Sequence, residues 1–507
     1  MTDPILWTLI LVQIALGAFD TLYHHEGTER LAWRPSQRRE LYLHGVRNLV
    51  YGGLFFVLGW LTVHGLLAFV LMGIVAAEVV ITLWDFVEED RTRRLPATER
   101  ITHTLLALNY GAITALILPI LLEWSARPID VEIVFRGGWS FIATVAAVGV
   151  CLFGLRDIAA ANRARRLVLT DPAPLADALA APKAVLVTGG TGFIGSRLVA
   201  ALVAAGHAVT VLTRRPDRAL GLASPLTVVT DLNQIPSNAR IDAIVNLAGE
   251  PLADGLWTAD KRRRILRSRQ RTTRAVVRLI KRLEARPAVL VSGSAVGWYG
   301  LRQDENLTEA SGGRPCFSQH VCDTWERTAA GAASYGVRVV TLRIGLVLGS
   351  QGGLLGRMLT PFEFGLGGPI GNGRQWMSWI GLDDTVRAIA HCIAKSDLQG
   401  PVNVTAPHPV RNVDFAKALG AAFRRPARIP VPSAPLRWGL RDLAEELLLG
   451  GQRVLPEKLL ASGFRFRHPR LEPLLAETVG GMPGIAAPPI NEGRRMAKGP
   501  VRNGAAP

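Results

Sequence analysis

Thr188-Gly189-Gly190-Thr191-Gly192-Phe193-Ile194-Gly195 decides the fold of this 507-residue chain. An apolar, β-branched run at 184–187 leads into it, an amphipathic segment at 196–205 follows, and a second β-branched run occupies 209–212. Strand, glycine-rich turn, helix and strand in this order build a phosphate-cradling turn. Glycines at 189, 192 and 195 allow tight backbone angles, close approach of a pyrophosphate and packing of the helix on the strand. The helix N-terminus adds amide donors and partial positive charge. Thr191, Phe193 and Ile194 complete the turn and are expected beside the same ligand.

Downstream, the residues after the second strand choose the cofactor. An acid there would bind the ribose 2′-hydroxyl of NAD, whereas this chain has Thr213-Arg214-Arg215, and two cations suit a 2′-phosphate. NADP is therefore expected, with NAD the alternative. Further β-branched runs end in polar or small residues. The run at 226–229 leads to Asp231 and Leu232 at an adenine edge. The run at 243–245 leads to Asn246, Leu247, Ala248 and Gly249. The run at 288–291 leads to Ser292, Gly293 and Ser294, and the run at 337–341 to Arg343. Strands alternating with helices predict an α/β fold, a Rossmann doubly wound parallel sheet whose ligands bind beyond the strand C-termini. The cofactor contacts expected there are the turn residues 189 and 191–195 with Arg214, Arg215, Asp231, Leu232, Leu247, Ala248, Gly249 and Ser292.

Upstream, apolar stretches near 4–23, 48–63, 66–86, 102–122 and 138–155 approach the length of bilayer-crossing helices, about 17–25 residues. The first lacks a basic leading region and a small-residue cleavage site, so it reads as a span and not a signal peptide. Arginines crowd the segments after the first, third and fifth stretches (Arg30, Arg34, Arg38, Arg39, Arg47; Arg91, Arg93, Arg94, Arg100; Arg156, Arg163, Arg165, Arg166). This alternation predicts five spans in the inner membrane, the N-terminus outside and the nucleotide domain cytoplasmic. Asp20 and His24 share a helix face, as do Glu99 and His103, with Glu78 and Asp85 in the third span and His25, His44, Glu88 and Glu89 nearby. Carboxylates and imidazoles at helical spacing are what a buried metal site in a bundle requires. The spacing matches no fixed ligand motif, and ion pairs with arginine at a watery interface are cheaper, so no metal site is assigned.

Composition sets the outer limits. Apolar residues at 49% and charged residues at 20% exclude disorder as the dominant state. Cys151, Cys316, Cys322 and Cys392 form no CxxC pair, which rules out a zinc ribbon and a disulfide framework. The formal charge of +17 arises beyond residue 170, because residues 1–170 carry 15 Arg, no Lys and 15 acids. No nucleic-acid motif accompanies that excess, so nucleic acid is not an expected partner. The organisation expected is a five-span transmembrane domain (1–156), a linker (157–182), the NADP-binding domain (183–425), a small C-terminal domain (426–479) and a disordered basic tail (480–507).

TGGTGFIG, NLAGE, SGSAVGWYG, RIGLVLG and GNGRQWMSWIGLDD, in this order, resemble the extended short-chain dehydrogenases. The resemblance is narrower still to a sugar-nucleotide-epimerase-like subfamily with a small conserved C-terminal domain, which VPSAPLRWGL and the segment GGQRVLPEKLLASGFRFRHPRLEPLL resemble. It runs from about Lys183 to about Leu475 and implies a dinucleotide-binding domain with a C-terminal substrate lobe. The N-terminal spans look like a fusion found on some members.

The wider superfamily uses Ser or Thr followed by YxxxK, the Tyr exchanging the proton and the Lys lowering its pKa. Ser294 fits the Ser position. Aligning Glu326 with the usual downstream acid puts Ser318 at the Tyr position and Cys322 at the Lys position, and the segment holds no YxxxK. Substitute acids are Tyr299, His320 and Cys322, with a packed turn aromatic the alternative for Tyr299. Trp376, Trp379 and Arg374 form a candidate substrate rim, with core packing the alternative for both tryptophans. The function expected is a membrane-anchored NADP-dependent oxidoreductase or epimerase, with Ser294, Tyr299 and Cys322 as candidate catalytic residues. Its partners would be the bilayer and a small-molecule substrate, a lipophilic one being suggested by the fusion. The alternative is a non-catalytic dinucleotide-binding scaffold.

Overall fold

Pro4 at the first helical position and the Asp3 carboxylate, which accepts from the Ile5 amide (2.8 Å), start helix α1 (Pro4–Phe19) of a computed structural model that describes residues 3–93, 95–167 and 170–480. Arg94 and the expected tail beyond Gly480 lie outside the described residues. α1 continues without a break as a π-helix, Asp20–Glu29. It is followed by α2 (Arg38–Trp60), α3 (Leu66–Thr92), α4 (Ala97–Ser125) and α5 (Gly138–Ala164). All five are long and apolar enough to cross a membrane. Large apolar side chains, among them Phe69, Val80, Leu108, Phe141 and Leu152, point outward from the bundle. Each helix runs beyond its apolar stretch into charged residues.

Glycine explains the tightest contact in the bundle. Gly45, Gly52 and Gly59 recur every seventh residue on α2 and face α5. A Cβ at Gly52 would lie 2.2 Å from Cys151 Sγ, and one at Gly59 would lie 2.6 Å from the Ala143 Cβ. Small residues of this kind let two helix backbones approach where apolar burial alone gives little drive. At the far end, strand Leu61–Val63 pairs antiparallel with Val131–Ile133.

The second half is a parallel sheet of seven strands: β1 (Ala184–Thr188), β2 (Ala208–Leu212), β3 (Thr227–Val229), β4 (Ala243–Asn246), β5 (Val289–Ala295), β6 (Arg338–Ile344) and β7 (Gly400–Val404). Their order is β7-β6-β5-β4-β1-β2-β3, so the chain reverses direction across the sheet between β1 and β4. The expected doubly wound sheet is present; β7, with a Gly-Pro start and only five residues, carries little β signal in the sequence. Helices cover both faces: α6 (Phe193–Ala204), α7 (Ala259–Arg282), α8 (Phe317–Ala330), α9 (Gly353–Glu363), α10 (Leu382–Ala394), α11 (Asn412–Phe423) and α12 (Leu471–Thr478).

Part of the stretch read as a linker packs firmly. Leu175 and Leu179, four apart, are buried in the sheet's core cluster with Leu198 and Ile389. Thr170 Oγ1 donates to Asp383 Oδ2 (2.6 Å), and Arg197 Nε donates to Asp383 Oδ1 (2.8 Å).

The bundle and the nucleotide domain share one apolar core. Leu31, Trp33, Ala160 and Ala161 cluster with Leu355, Leu359, Phe415 and Leu475. Above it, Glu363 at the end of α9 is gripped by Arg156 (2.9 Å) and Arg163 (2.5 Å) of α5. Arg156 also pairs with Glu26, which accepts from Thr360 Oγ1 (2.9 Å). The Arg163 guanidinium lies 3.9 Å above the Trp33 ring. Burial disfavours ionisation of Glu363, but the charges and hydrogen bonds of Arg156 and Arg163 outweigh it and hold the carboxyl below its ordinary pKa. With the folded value below the unfolded one, this stabilisation is present at neutral pH and is lost as pH falls through the folded value. Glu363→Ala leaves Arg163 without its carboxylate and Arg156 with Glu26 and Asp157 alone, and should cost about 3 kcal/mol, read as a lowered unfolding temperature of the detergent-solubilised protein at pH 7. The difference from wild type should narrow in acid.

Candidate functional site

The glycine turn closes against the strand across the reversal. Gly189 has φ +73°, and a Cβ there would meet the Ala248 amide nitrogen at 2.9 Å. A Cβ at Gly195 would lie 2.1 Å from the Gly189 carbonyl oxygen. Side chains are thus excluded where α6 begins, and the first amides of the helix lack partners within it. The Phe193 ring packs away from the turn onto the loop before α9, where a Cβ at Gly352 would approach it to 2.6 Å. Thr191 and Ile194 are half-buried and Gly192 is exposed.

Strand ends are fastened by a buried polar row. Thr188 Oγ1 donates to Asn246 Oδ1 (2.7 Å), and Asn246 Nδ2 donates to Thr273 Oγ1 (2.9 Å) and Ser292 Oγ (3.1 Å). Thr188 also accepts from the Ala248 amide (3.3 Å). Ser292 therefore braces β4 and β5 from within. Leu247 and Ala248 line the loop opposite Gly189, and Gly249 lies against Arg269, whose guanidinium would be 2.9 Å from a Cβ there. Arg214 and Arg215 are exposed at the end of β2, with the Arg215 amide donating to Thr213 Oγ1 (3.1 Å). The Asp231 carboxylate caps the short turn that follows β3, accepting from the Asn233 amide (2.8 Å), and Leu232 is buried beneath it.

Ser294 stands beyond that row on β5, in register with Arg343 of β6. Its hydroxyl donates to Glu326 Oε1 (2.7 Å). Arg343 holds the same carboxylate in two bonds, Nε to Oε1 (3.0 Å) and Nη2 to Oε2 (3.0 Å), and stacks on Trp298 with 3.4 Å to the ring centroid. Bidentate pairs of this kind fix orientation as well as charge. Helix α8 comes close enough to place Glu326 because β5 has glycine opposite Trp325: a Cβ at Gly293 would meet the indole at 2.7 Å. Glu446 of the C-terminal region caps α8, accepting from the Phe317 (3.1 Å) and Ser318 (2.8 Å) amides.

The other two catalytic candidates lie close to Ser294 but inside the domain, Tyr299 linked to it through Arg343 and Cys322 within hydrogen-bonding reach of its hydroxyl. Tyr299 is fully buried; its hydroxyl donates to Asn403 Oδ1 (2.7 Å) and accepts from Arg343 Nη1 (3.1 Å). Burial raises its pKa against the opposing influence of Arg343. Cys322 is buried, and burial pushes its thiol up to about 11. Both side chains are packed inside the domain and engaged with neighbouring polar groups. Ser318, aligned with the superfamily Tyr, is buried and its hydroxyl has no hydrogen-bond partner among the described residues. His320 lines an outer groove with Arg267, Arg274 and Arg327.

Of the expected substrate rim, Trp379 is core, its indole donating to the His408 carbonyl (2.9 Å). Trp376 lies between Arg411 (4.2 Å) and Arg453 (4.5 Å) and donates to Asp304 (2.7 Å), so its faces are already covered. Arg374 is exposed. The sequence signals for Glu326 and Arg343 existed separately; their pairing with Ser294 depends on the sheet order.

Residues 185–405 match the NAD dependent epimerase/dehydratase family, and residues 431–478 match a domain of unknown function (DUF1731). Among curated relatives, epimerase family protein Mb2239 of Mycobacterium bovis is 38% identical over 286 residues, 56% of this chain and 93% of the relative. Epimerase family protein YfhF of Bacillus subtilis is 36% identical over 300 residues, 58% of this chain and 97% of the relative. The crystal structure of human epimerase family protein SDR39U1 (isoform 2) with NADPH has a TM-score of 0.53 and 33% identity, covering 59% of this chain and 100% of the human one.

Tyr299→Phe should remove a hydrogen bond from both Asn403 and Arg343 and destabilise the fold by about 1–3 kcal/mol in denaturant unfolding. Peptide mass spectrometry after iodoacetamide at pH 8 should find Cys322 unmodified in the native protein and alkylated in denaturant.

Proposed function

We propose, on the premise that this chain belongs to the NAD dependent epimerase/dehydratase family, that it is a membrane-anchored NADP-dependent oxidoreductase or epimerase acting on a small molecule from the cytoplasmic side. The observation that carries the reading is Ser294, fixed by Glu326 and Arg343 at the carboxyl edge of the sheet, near the reversal where the glycine turn lies. The turn fits a dinucleotide because its backbone is bare where a Cβ would collide, and Arg214 and Arg215 suit a 2′-phosphate. When bound, the nicotinamide supplies or accepts a hydride.

The chain's own residues do the rest. Ser294 gives its hydrogen to Glu326, so it presents lone pairs that orient a substrate hydroxyl. With its hydrogen turned outward it would instead hold a carbonyl. Arg343 keeps the carboxylate in place while this happens. Among the described residues no tyrosine–lysine pair stands beside Ser294, and general acid–base work typically supplies about 10²–10⁴-fold in rate. Turnover is therefore expected to be modest, resting on positioning. For the bundle, the outward apolar face and the arginine alternation support residence in the inner membrane. A cavity of about 850 Å³ among the five bundle helices is mostly apolar, with Arg47, Glu78 and His103 on its wall, which supports a lipophilic substrate bearing a polar group.

A second reading, a dinucleotide-responsive scaffold, is favoured by one observation: two of the three substitute acids, Tyr299 and Cys322, are held inside the domain. One titration set separates the readings. NADPH should bind more tightly than NADH in nicotinamide fluorescence. Gly195→Ala should weaken NADPH by roughly tenfold or more, about 1.4 kcal/mol. Arg214→Ala/Arg215→Ala should weaken NADPH by about 10–100-fold and leave NADH unchanged. Ser294→Ala should keep NADPH affinity within about twofold and lower NADPH oxidation by a short-chain quinone by about 10²-fold. Tight binding with no turnover on any carbonyl or quinone acceptor supports the scaffold, and folded protein that binds neither nucleotide overturns both readings.

A further inference from the structure

Where α1 widens into the π-helix, the chain gathers imidazoles and carboxylates that the dinucleotide site does not use. We propose that Asp20, His25, Glu99 and His103 form a binding site for one divalent first-row transition-metal ion at the inner end of the helical bundle. The proposal is independent of the dinucleotide reading.

Sequence and helix type place the ligands. Asp20 and His25 are five residues apart and would diverge by about 140° on an α-helix. The i to i+5 turn of the π-helix Asp20–Glu29 brings them onto one face. Glu99 and His103 are four apart in the first turns of α4 and face the same space. His25 Nε2 is 3.4 Å from Asp20 Oδ2 and 3.6 Å from Glu99 Oε1, and His103 Nε2 is 3.2 Å from Asp20 Oδ2. Ligand atoms about 2.0–2.2 Å from a common ion are separated by about 3.0–3.6 Å, so these spacings suit coordination. One ligand atom from each of the four residues lies within 4.8 Å of every other.

Two further observations point to a missing partner. His25 is 4% exposed, yet its Nε2 has no hydrogen bond among the described residues. Buried polar atoms in native proteins are nearly always paired. Glu89 also lies 3.3 Å from Nδ1 of His103, behind the ring, where a carboxylate orients a metal-binding imidazole. Charge gives the second argument. Among the described residues, the carboxylates of Asp20, Glu40, Asp85, Glu89 and Glu99 pair with the guanidiniums of Arg47 and Arg93 and otherwise with imidazoles. A divalent ion would offset negative charge in this carboxylate-rich cluster. Two imidazoles with two carboxylates suit manganese, iron, cobalt or zinc over the all-oxygen preference of magnesium and calcium.

The test uses the full-length protein in detergent, dialysed against a chelator and then titrated with Co²⁺, with metal content read by mass spectrometry and the Co²⁺ d–d bands by absorption. About one equivalent should be retained, with bands typical of mixed nitrogen and oxygen ligands. His25→Ala/His103→Ala should lower retained metal by about tenfold and abolish the bands, while His468→Ala, a control outside the cluster, should leave both unchanged. Gel filtration and thermal unfolding establish that each variant is folded. If the double variant fails to fold, His103→Asp, which keeps a ligand, should shift the band positions. Folded wild-type protein that holds no metal as purified and shows no Co²⁺ bands overturns the proposal, as does an unchanged spectrum in either folded cluster variant. The cluster would then be closed by protons alone.

Discussion

Two arginines of α5 hold one carboxylate of α9, and the joining of the two halves is arranged around that grip. A buried carboxylate between two cations is tolerable only because each charge has its partner, and removing any one exposes the desolvation of the others. Below it the apolar core runs without a break from Trp33 and Ala161 to Phe415 and Leu475. The nucleotide domain therefore does not hang from a flexible tether; it shares its packing with the bundle. The contact also reaches the glycine turn, since α9 begins directly after the loop on which Phe193 packs. Turn, loop, helix and grip are continuous in space.

The same economy of pairing governs the site at the end of β5. A serine alone is a weak director of substrate, because its hydroxyl rotates. Here its hydrogen is claimed by Glu326, whose two oxygens are claimed in turn by Arg343, whose guanidinium is held flat against Trp298. Preorganised dipoles of this sort retain their effect in a buried site without needing a group that titrates. Ser294 is thereby held in one orientation by neighbours that are themselves fixed.

The sequence was most legible where a residue type has one physical reason to be present. Glycines 189 and 195 stand where a Cβ would strike backbone, and alternating β-branched runs located six of the seven sheet strands. The five apolar stretches foretold five helices because apolarity over a bilayer's length has few other causes. Tyr299 was illegible for the opposite reason: an aromatic in a glycine-flanked turn reads the same whether its hydroxyl faces a cleft or Asn403, 104 residues away. The Ser294–Glu326–Arg343 arrangement required knowing that β6 lies beside β5, which no local pattern states. The expectation that the polar residues of the bundle sit in water also fails among the described residues. His25, Asp85, Glu89 and Glu99 are all buried, because the helices run on past their apolar stretches and pack their charged ends together.

One element links those charged ends to the seam. The π-helix turns Asp20 and His25 inward and Glu26 outward, toward Arg156 and Thr360. Inward and outward residues adjacent in sequence share one backbone path, so whatever neutralises the inner carboxylates also fixes the position of Glu26. A π-helix is held only where local interactions repay its poorer geometry. Here the repayment comes from both sides at once, the acid and imidazole cluster within and the arginine grip without. The unusual helix is thus the place where the bundle's interior and the nucleotide domain meet.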